Sequence, residues 1–173
     1  MKNKYLLIIF TIFFTFCFII LFKGLKNTNI YKPKFNQNQV LNDFASTEFF
    51  SNEKIKFSTI ISDEKYYLIN IWASWCIPCR KEHKFLNKFK REGKIILIGI
   101  NYKDKFKNAK KFLNDFGNPY QIIFKDKNGI VSIELGAYGV PETFLINKNF
   151  EIIKKIIGPI NQKTYNEIAE IIK

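Results

Sequence analysis

The sequence predicts an α/β domain, a central mixed β-sheet flanked by helices, carried behind one N-terminal transmembrane helix. Three observations lead there. Tyr5 to Phe22 is an unbroken apolar run. Between Tyr66 and Phe116, β-rich runs alternate with helix-periodic ones, the pattern of parallel strands joined by crossover helices. From Glu142 onward, two short strand-like segments and a final amphipathic stretch close the domain.

Length and composition bound the rest. With 173 residues, 47% of them hydrophobic and 25% charged, the chain suits one globular domain once a targeting segment is set aside. The net charge of +13 rests almost wholly on lysine, since Arg80 and Arg91 are the only arginines. Spread along the chain, it describes a solvated lysine surface and argues against a nucleic-acid partner.

The apolar run YLLIIFTIFFTFCFIILF lies between Lys2 and Lys4 on one side and Lys23 and Lys26 on the other. As a helix it is about 27 Å long, enough for a bilayer core. No small-residue cleavage site follows it, and Phe16 before Cys17 is too bulky for lipoprotein processing. An uncleaved signal anchor is therefore expected: residues 1–4 a cytoplasmic stub, 5–22 the anchor, 23–39 a polar linker with Pro33, and 40–173 the exported domain. Lysine counts do not orient the anchor; the short stub ahead of one large domain does.

Within the domain, Val40 to Ile61 is compatible with a hairpin or a short helix. Tyr66 to Trp72 (YYLINIW) is a strand and Ser74 to Arg91 a loop and helix. Lys94 to Tyr102 is a buried strand and Phe106 to Phe116 a helix. In that second helix Ala109, Phe112, Leu113 and Phe116 form the apolar stripe, and Gly117 stands where a left-handed cap belongs. Asn118 to Val140 is too long for a plain connection and is expected to be an inserted strand and loop, with a turn at Asn128-Gly129. Glu142 to Ile146 and Glu151 to Ile157 are strands joined by the turn Asn147-Lys148-Asn149. The helix Asn161 to Ile172 should bury Tyr165, Ile168, Ala169 and Ile172.

The chemistry points to Cys76 and Cys79, spaced Cys-x-x-Cys after a strand and at a helix start, where unpaired amides and the helix dipole favour a thiolate. Pro78 in the first turn costs no helical hydrogen bond. Cys76 is read as the exposed nucleophile and Cys79 as the resolving thiol of a redox-active pair. Structural zinc lacks ligands, for only Cys17 and the single histidine His83 remain. Covalent haem attachment needs a histidine where Arg80 stands. No cofactor or metal is expected.

Helical spacing sets Glu82 with Cys79, Phe85, Leu86 and Phe89 on one face. It is either a proton acceptor for Cys79 or a surface carboxylate, paired or not with Arg80 or a lysine. His83 leaves open a different class, a copper-binding chaperone using Cys76, Cys79 and His83.

The run LINIWASWCIPCRKEH, Leu68 to His83, resembles thioredoxin-like proteins. Its ending resembles the thiol:disulfide interchange proteins of cytochrome c maturation, the DsbE/CcmG type. Asn101 to Asp104, Gly117 to Tyr120 and Gly136 to Ile146 (GAYGVPETFLI) are similar to that family's segments in the same order. The resemblance implies a thioredoxin-like fold with its insertion ahead of a cis-proline strand. Pro141 would be that cis-proline facing the dithiol. Trp75, Val140, Pro141 and Glu142 would meet the substrate, with Glu82 and Glu142 as the acidic groups of the site. It further implies a periplasmic reductant on the inner membrane that keeps apocytochrome c haem-binding cysteines reduced and is recharged by a transmembrane dithiol donor. A general exported thiol reductase of the same fold is the alternative.

Overall fold

In the computed structural model, residues 2–26, 40–61 and 66–173 are described. The first unit is helix α1, Lys2–Lys26. Its stretch Lys4–Leu25 is long and apolar enough to cross a membrane, somewhat longer than the expected anchor. Two polar side chains in it are satisfied internally. The Thr11 hydroxyl donates to the Leu7 carbonyl at 2.6 Å and the Thr15 hydroxyl to the Thr11 carbonyl at 2.8 Å, the back-bonding open to a hydroxyl within a helix. Most of the expected linker, residues 27–39, lies outside the described residues.

The second unit is the α/β domain. Its strands are β1 (Ala45–Glu48), β2 (Lys54–Lys56), β3 (Tyr66–Trp72), β4 (Ile95–Tyr102), β5 (Ile122–Asp126), β6 (Glu142–Ile146) and β7 (Ile152–Ile157). Helices α2 (Ile77–Glu92), α3 (Phe106–Phe116), α4 (Ile130–Glu134) and α5 (Gln162–Ile171) accompany them. The sheet runs β2-β1-β5-β4-β3-β6-β7. Strands β3, β4 and β5 are parallel; β6 joins β3 and β7 joins β6 antiparallel.

The crossovers β3-α2-β4 and β4-α3-β5 step the same way across the sheet, so right-handed connections put α2 and α3 on one face. Leu68, Trp72, Leu97, Ile123, Leu145 and Ile156 pack there against Leu86, Phe89, Phe112 and the α5 residues Tyr165 and Ile168. Tyr67, Ile69, Ile71, Ile98, Ile100, Phe124 and Phe144 form the opposite core beneath Phe44, Phe57 and α4. With both faces covered, β3 is buried from Tyr67 onward. The glycine in β4 is dictated by packing. A Cβ on Gly99 would stand 2.9 Å from Trp72 Nε1 and 3.0 Å from the Tyr120 ring.

Several expectations need correction. Phe116 is 44% exposed, because α3 ends there and turns its last residue outward. Gly117 has φ 84° and ψ 155°, so it turns the chain into an extended segment. The left-handed cap is Gly93 after α2, with φ 67° and ψ 9°, and its amide donates to the Phe89 carbonyl at 3.2 Å. The insertion holds strand β5 and, beyond the Asn128-Gly129 turn, the short helix α4 instead of a loop. Val40 to Ile61 contains both alternatives: the β1-β2 hairpin followed by a 3₁₀ turn, Phe57–Ile60. Ala169 is only half-buried, while Tyr165, Ile168 and Ile172 are buried as expected.

Candidate active site

The site stands where β3 ends and α2 begins. Between them the chain is pinned from the side by the loop after β4. Asp104 accepts the Ser74 amide at 2.5 Å and the Ser74 hydroxyl at 2.8 Å, and the Trp75 indole donates to the Lys103 carbonyl at 3.2 Å. Arg80 reaches back from α2 and donates to the Ser74 carbonyl at 3.1 Å. The Cys76 amide donates to Ala73 at 3.2 Å, closing the turn that delivers the dithiol.

Cys76 is the residue before the helix, and its sulfur accepts the Cys79 amide at 3.1 Å. One of the amides that a helix start leaves unpaired is thus aimed at this sulfur. Pro78 sits in the first turn, as expected. Cys76 and Cys79 are joined by a disulfide with Cα atoms 5.3 Å apart. The expectation of an exposed Cys76 is corrected: it is 3% and Cys79 2% accessible. The exposed neighbours are instead Trp75 and Ile77, at 53% and 66%.

Register brings β6 to the same end of the sheet. Ile71 of β3 faces Glu142 of β6, so the preceding Val140-Pro141 lies by the end of β3. That peptide bond is cis. Val140 packs against the core cluster that includes both cysteines. Glu142 is buried beneath this loop. One of its oxygens accepts the Tyr138 and Gly139 amides at 2.6 and 2.9 Å. The other faces the Lys155 ammonium at 3.1 Å as an ion pair, without the alignment of a conventional hydrogen bond. Glu142 therefore shapes the Val140-Pro141 loop from below.

Glu82 points from α2 into the sheet and is fully buried. Its oxygens accept Asn70 Nδ2 and the Ile160 amide, each at 2.9 Å. Among the described residues it pairs with neither Arg80 nor a lysine, and its full burial excludes the surface alternative. Burial pushes its carboxyl up from 4.5 to about 7, and the two neutral donors offset this only partly. His83, the next residue, turns toward α3: its Nε2 lies 2.6 Å from the Gly117 carbonyl and its ring meets Phe112 edge-on. Burial lowers its pKa. Among the described residues, no three His, Cys, Asp or Glu side chains are placed to hold a metal ion. His83 does not converge with the cysteines as the copper reading requires.

Sequence reasoning left out Asn70, Asp104, Tyr120 and Lys155 as supports of the site. The signal for Asn70 was one amide within YYLINIW, a strand otherwise able to be apolar on both faces. The others are recognisable only once the chain is folded.

A raised Glu82 carboxyl makes stability depend on pH. The folded protein holds the proton up to about pH 7, whereas an ordinary carboxyl releases it near 4.5. The stabilisation is complete below 4.5 and is lost as pH rises through 7, by about 3 kcal/mol over the window. Glu82→Gln should remove this slope, leaving only a pH-independent difference. Urea unfolding of the detergent-solubilised chain between pH 4 and 8 measures it, and parallel curves for the two proteins would refute a protonated buried Glu82.

Comparison with known proteins agrees with this geometry. The thiol:disulfide interchange protein DsbE of Haemophilus influenzae is 40% identical over 121 residues, 70% of this chain and 66% of that protein. The chain thus spans just under two thirds of that relative's length. The Escherichia coli K12 protein of the same name is 32% identical over 171 residues, 96% of this chain and 92% of its own length. The thioredoxin domain of a thiol-disulfide oxidoreductase from Bacteroides vulgatus superposes with a TM-score of 0.68 at 18% identity. That match covers 81% of this chain and all of that domain, and it shows the shared thioredoxin-like fold. Residues 37–172 match the redoxin family model, and the chain belongs to the redoxin family, among its DsbE-type thiol:disulfide interchange proteins.

Proposed function

We propose that this chain is a membrane-anchored thiol-disulfide oxidoreductase that reduces the haem-binding cysteines of apocytochrome c outside the cytoplasmic membrane. The observation that carries the reading is the Cys76-Cys79 disulfide at the start of α2, with the Val140-Pro141 loop at the same end of the sheet. In the reduced protein Cys76 attacks a client disulfide, giving a mixed disulfide and one client thiolate. Cys79 then attacks the Cys76 sulfur, releasing the second client thiolate and closing the disulfide. Glu82, one turn beyond Cys79, takes the Cys79 proton. The exposed Trp75 and the Val140-Pro141 backbone hold the client strand. Two electrons from a transmembrane dithiol donor restore the dithiol. Helix α1 is the anchor, with residues 1–4 in the cytoplasm and residues 40–173 in the periplasm. The apolar stretch Lys4–Leu25 and the DsbE-type relatives support this reading.

One experiment tests client and topology together. Spheroplasts carrying the Cys79→Ser chain receive an oxidised, membrane-impermeant peptide containing Cys-x-x-Cys-His. With no resolving thiol, the mixed disulfide at Cys76 should accumulate before lysis and in preference to unrelated oxidised peptides. Equal capture of every peptide favours a general exported reductase, and capture only after lysis places the domain on the wrong side.

A further inference from the structure

The most unusual polar feature outside the dithiol is a closed network in the core between β3, β6 and α2. Asn70 is fully buried, as are Glu82 and Thr143, and Tyr120 is 4% accessible. The Asn70 amide spends every group it has. Its nitrogen donates to Glu82 Oε1 and to Thr143 Oγ1, both at 2.9 Å. Its oxygen accepts the Tyr120 hydroxyl at 2.7 Å. Thr143 is also the register partner of Asn70 across the β3-β6 ladder, so backbone pairing holds the two side by side.

We propose that Tyr120 and Thr143 are positioning residues for thiol exchange: by fixing the Asn70 amide between them, they keep an N–H donor on Glu82 and so set the protonation of the acid behind the dithiol. This rests on the reading of Glu82 as the proton acceptor for Cys79. The physical reason is the two-sidedness of an amide. A carboxylate only accepts, so ionised Glu82 needs the nitrogen side of Asn70, which turns the amide oxygen toward Tyr120. In a site this deeply buried, that oxygen requires a donor, and the Tyr120 hydroxyl fills that place. Without the hydroxyl, the nitrogen-facing arrangement strands a buried oxygen. The reversed amide then gains ground, and it offers Glu82 an acceptor, which suits only the protonated acid.

The network is placed by packing as well as by hydrogen bonds. The Tyr120 ring stacks on Trp72 at 5.6 Å and 16°, over Gly99. A phenylalanine there keeps the ring seated and loses the hydroxyl alone. The groups facing Glu82 are few. Cys79 on its own helix is held in the disulfide, and His83 turns away to the Gly117 carbonyl. Asn70, Thr143 and the Ile160 amide are neutral. Among the described residues, Tyr120 is the titratable neighbour that responds to Glu82. Its hydroxyl is pushed well above the usual range, by burial and then by the carboxylate charge. Among the described residues, no cation adds to the shift of Glu82, so neutral donors carry the tuning.

The test uses the full oxidised chain in lipid nanodiscs, with carboxyl-labelled glutamate followed by isotope-edited infrared or NMR from pH 4 to 9. Glu82→Gln identifies the Glu82 signal. In Tyr120→Phe the midpoint should rise by about half a pH unit to one unit, the size expected for one lost buried hydrogen bond. Thr143→Val should move it the same way by less. In the reduced proteins, the pH profile of disulfide exchange should follow the midpoint. Unmoved midpoints in both folded variants overturn the relay. A carboxyl midpoint that shifts while the exchange profile stays put sustains the relay and overturns Glu82 as the base for Cys79.

Discussion

Replacing Cys76 by serine is expected to abolish disulfide exchange, lowering the rate by at least about three orders of magnitude, because no other sulfur can form the covalent intermediate. Cys79 cannot substitute for it. Its amide is donated to the Cys76 sulfur, and it lies inside the first turn of α2, whereas Cys76 stands ahead of the helix. Cys79→Ser should also lose turnover, but by a different route. It can still attack once, so it should give a stoichiometric burst of client thiolate and then stop. Rapid mixing with an oxidised chromogenic disulfide separates the two variants. A Cys79→Ser protein with no burst, beside a Cys76→Ser protein that keeps one, would reverse the assignment of nucleophile and resolving thiol.

Lys155→Met should destabilise the domain by about 3–5 kcal/mol, the cost of leaving one partner of a buried ion pair alone. Lys155 and Glu142 have side chains only 7% and 2% accessible. The ammonium also donates to the Gly136 carbonyl at 2.6 Å and lies 4.2 Å from the Tyr138 ring centre. One lysine from β7 thus gathers the loop that carries Val140 and Pro141, while Glu142 holds the Tyr138 and Gly139 amides from within. Without the lysine, Glu142 keeps those two donors and nothing to balance its charge. Glu142→Gln combined with Lys155→Met should recover much of the loss, since the neutral amide no longer needs a cation. Urea unfolding of the four proteins gives the coupling. A loss below about 1 kcal/mol for the single variant would mean that water already reaches the pair.

How far the sequence carried can be judged at particular residues. The apolar N-terminal run, the β-α-β-α alternation and the dithiol at a helix start are local features, each written in a continuous stretch whose period or spacing can be read directly. Glu82 was half legible. Its spacing from Cys79 placed it on the apolar face, but whether that face meant full burial depended on the sheet it packs against. The bounds of α3 were legible, Phe106 to Phe116, but the place of Phe116 in the buried stripe was not, because periodicity continues past the point where packing stops. The β1-β2 hairpin was legible only as one of two alternatives, because it is held from far along the chain: Thr47 and Glu48 pair with Lys125 and Phe124 of β5.

By itself the sequence singled out the Cys76-Cys79 pair at a helix start and an apolar helix long enough to span a bilayer, since both follow from contiguous chain. Only the tertiary structure decided what surrounds them. The Asn70 amide meets Glu82, Thr143 and Tyr120, and Lys155 meets Glu142, across separations of 12 to 73 residues. A buried polar group has no intrinsic partner. It takes whichever donor or acceptor the fold brings within about 3 Å, and in a core buried from solvent that choice sets its charge.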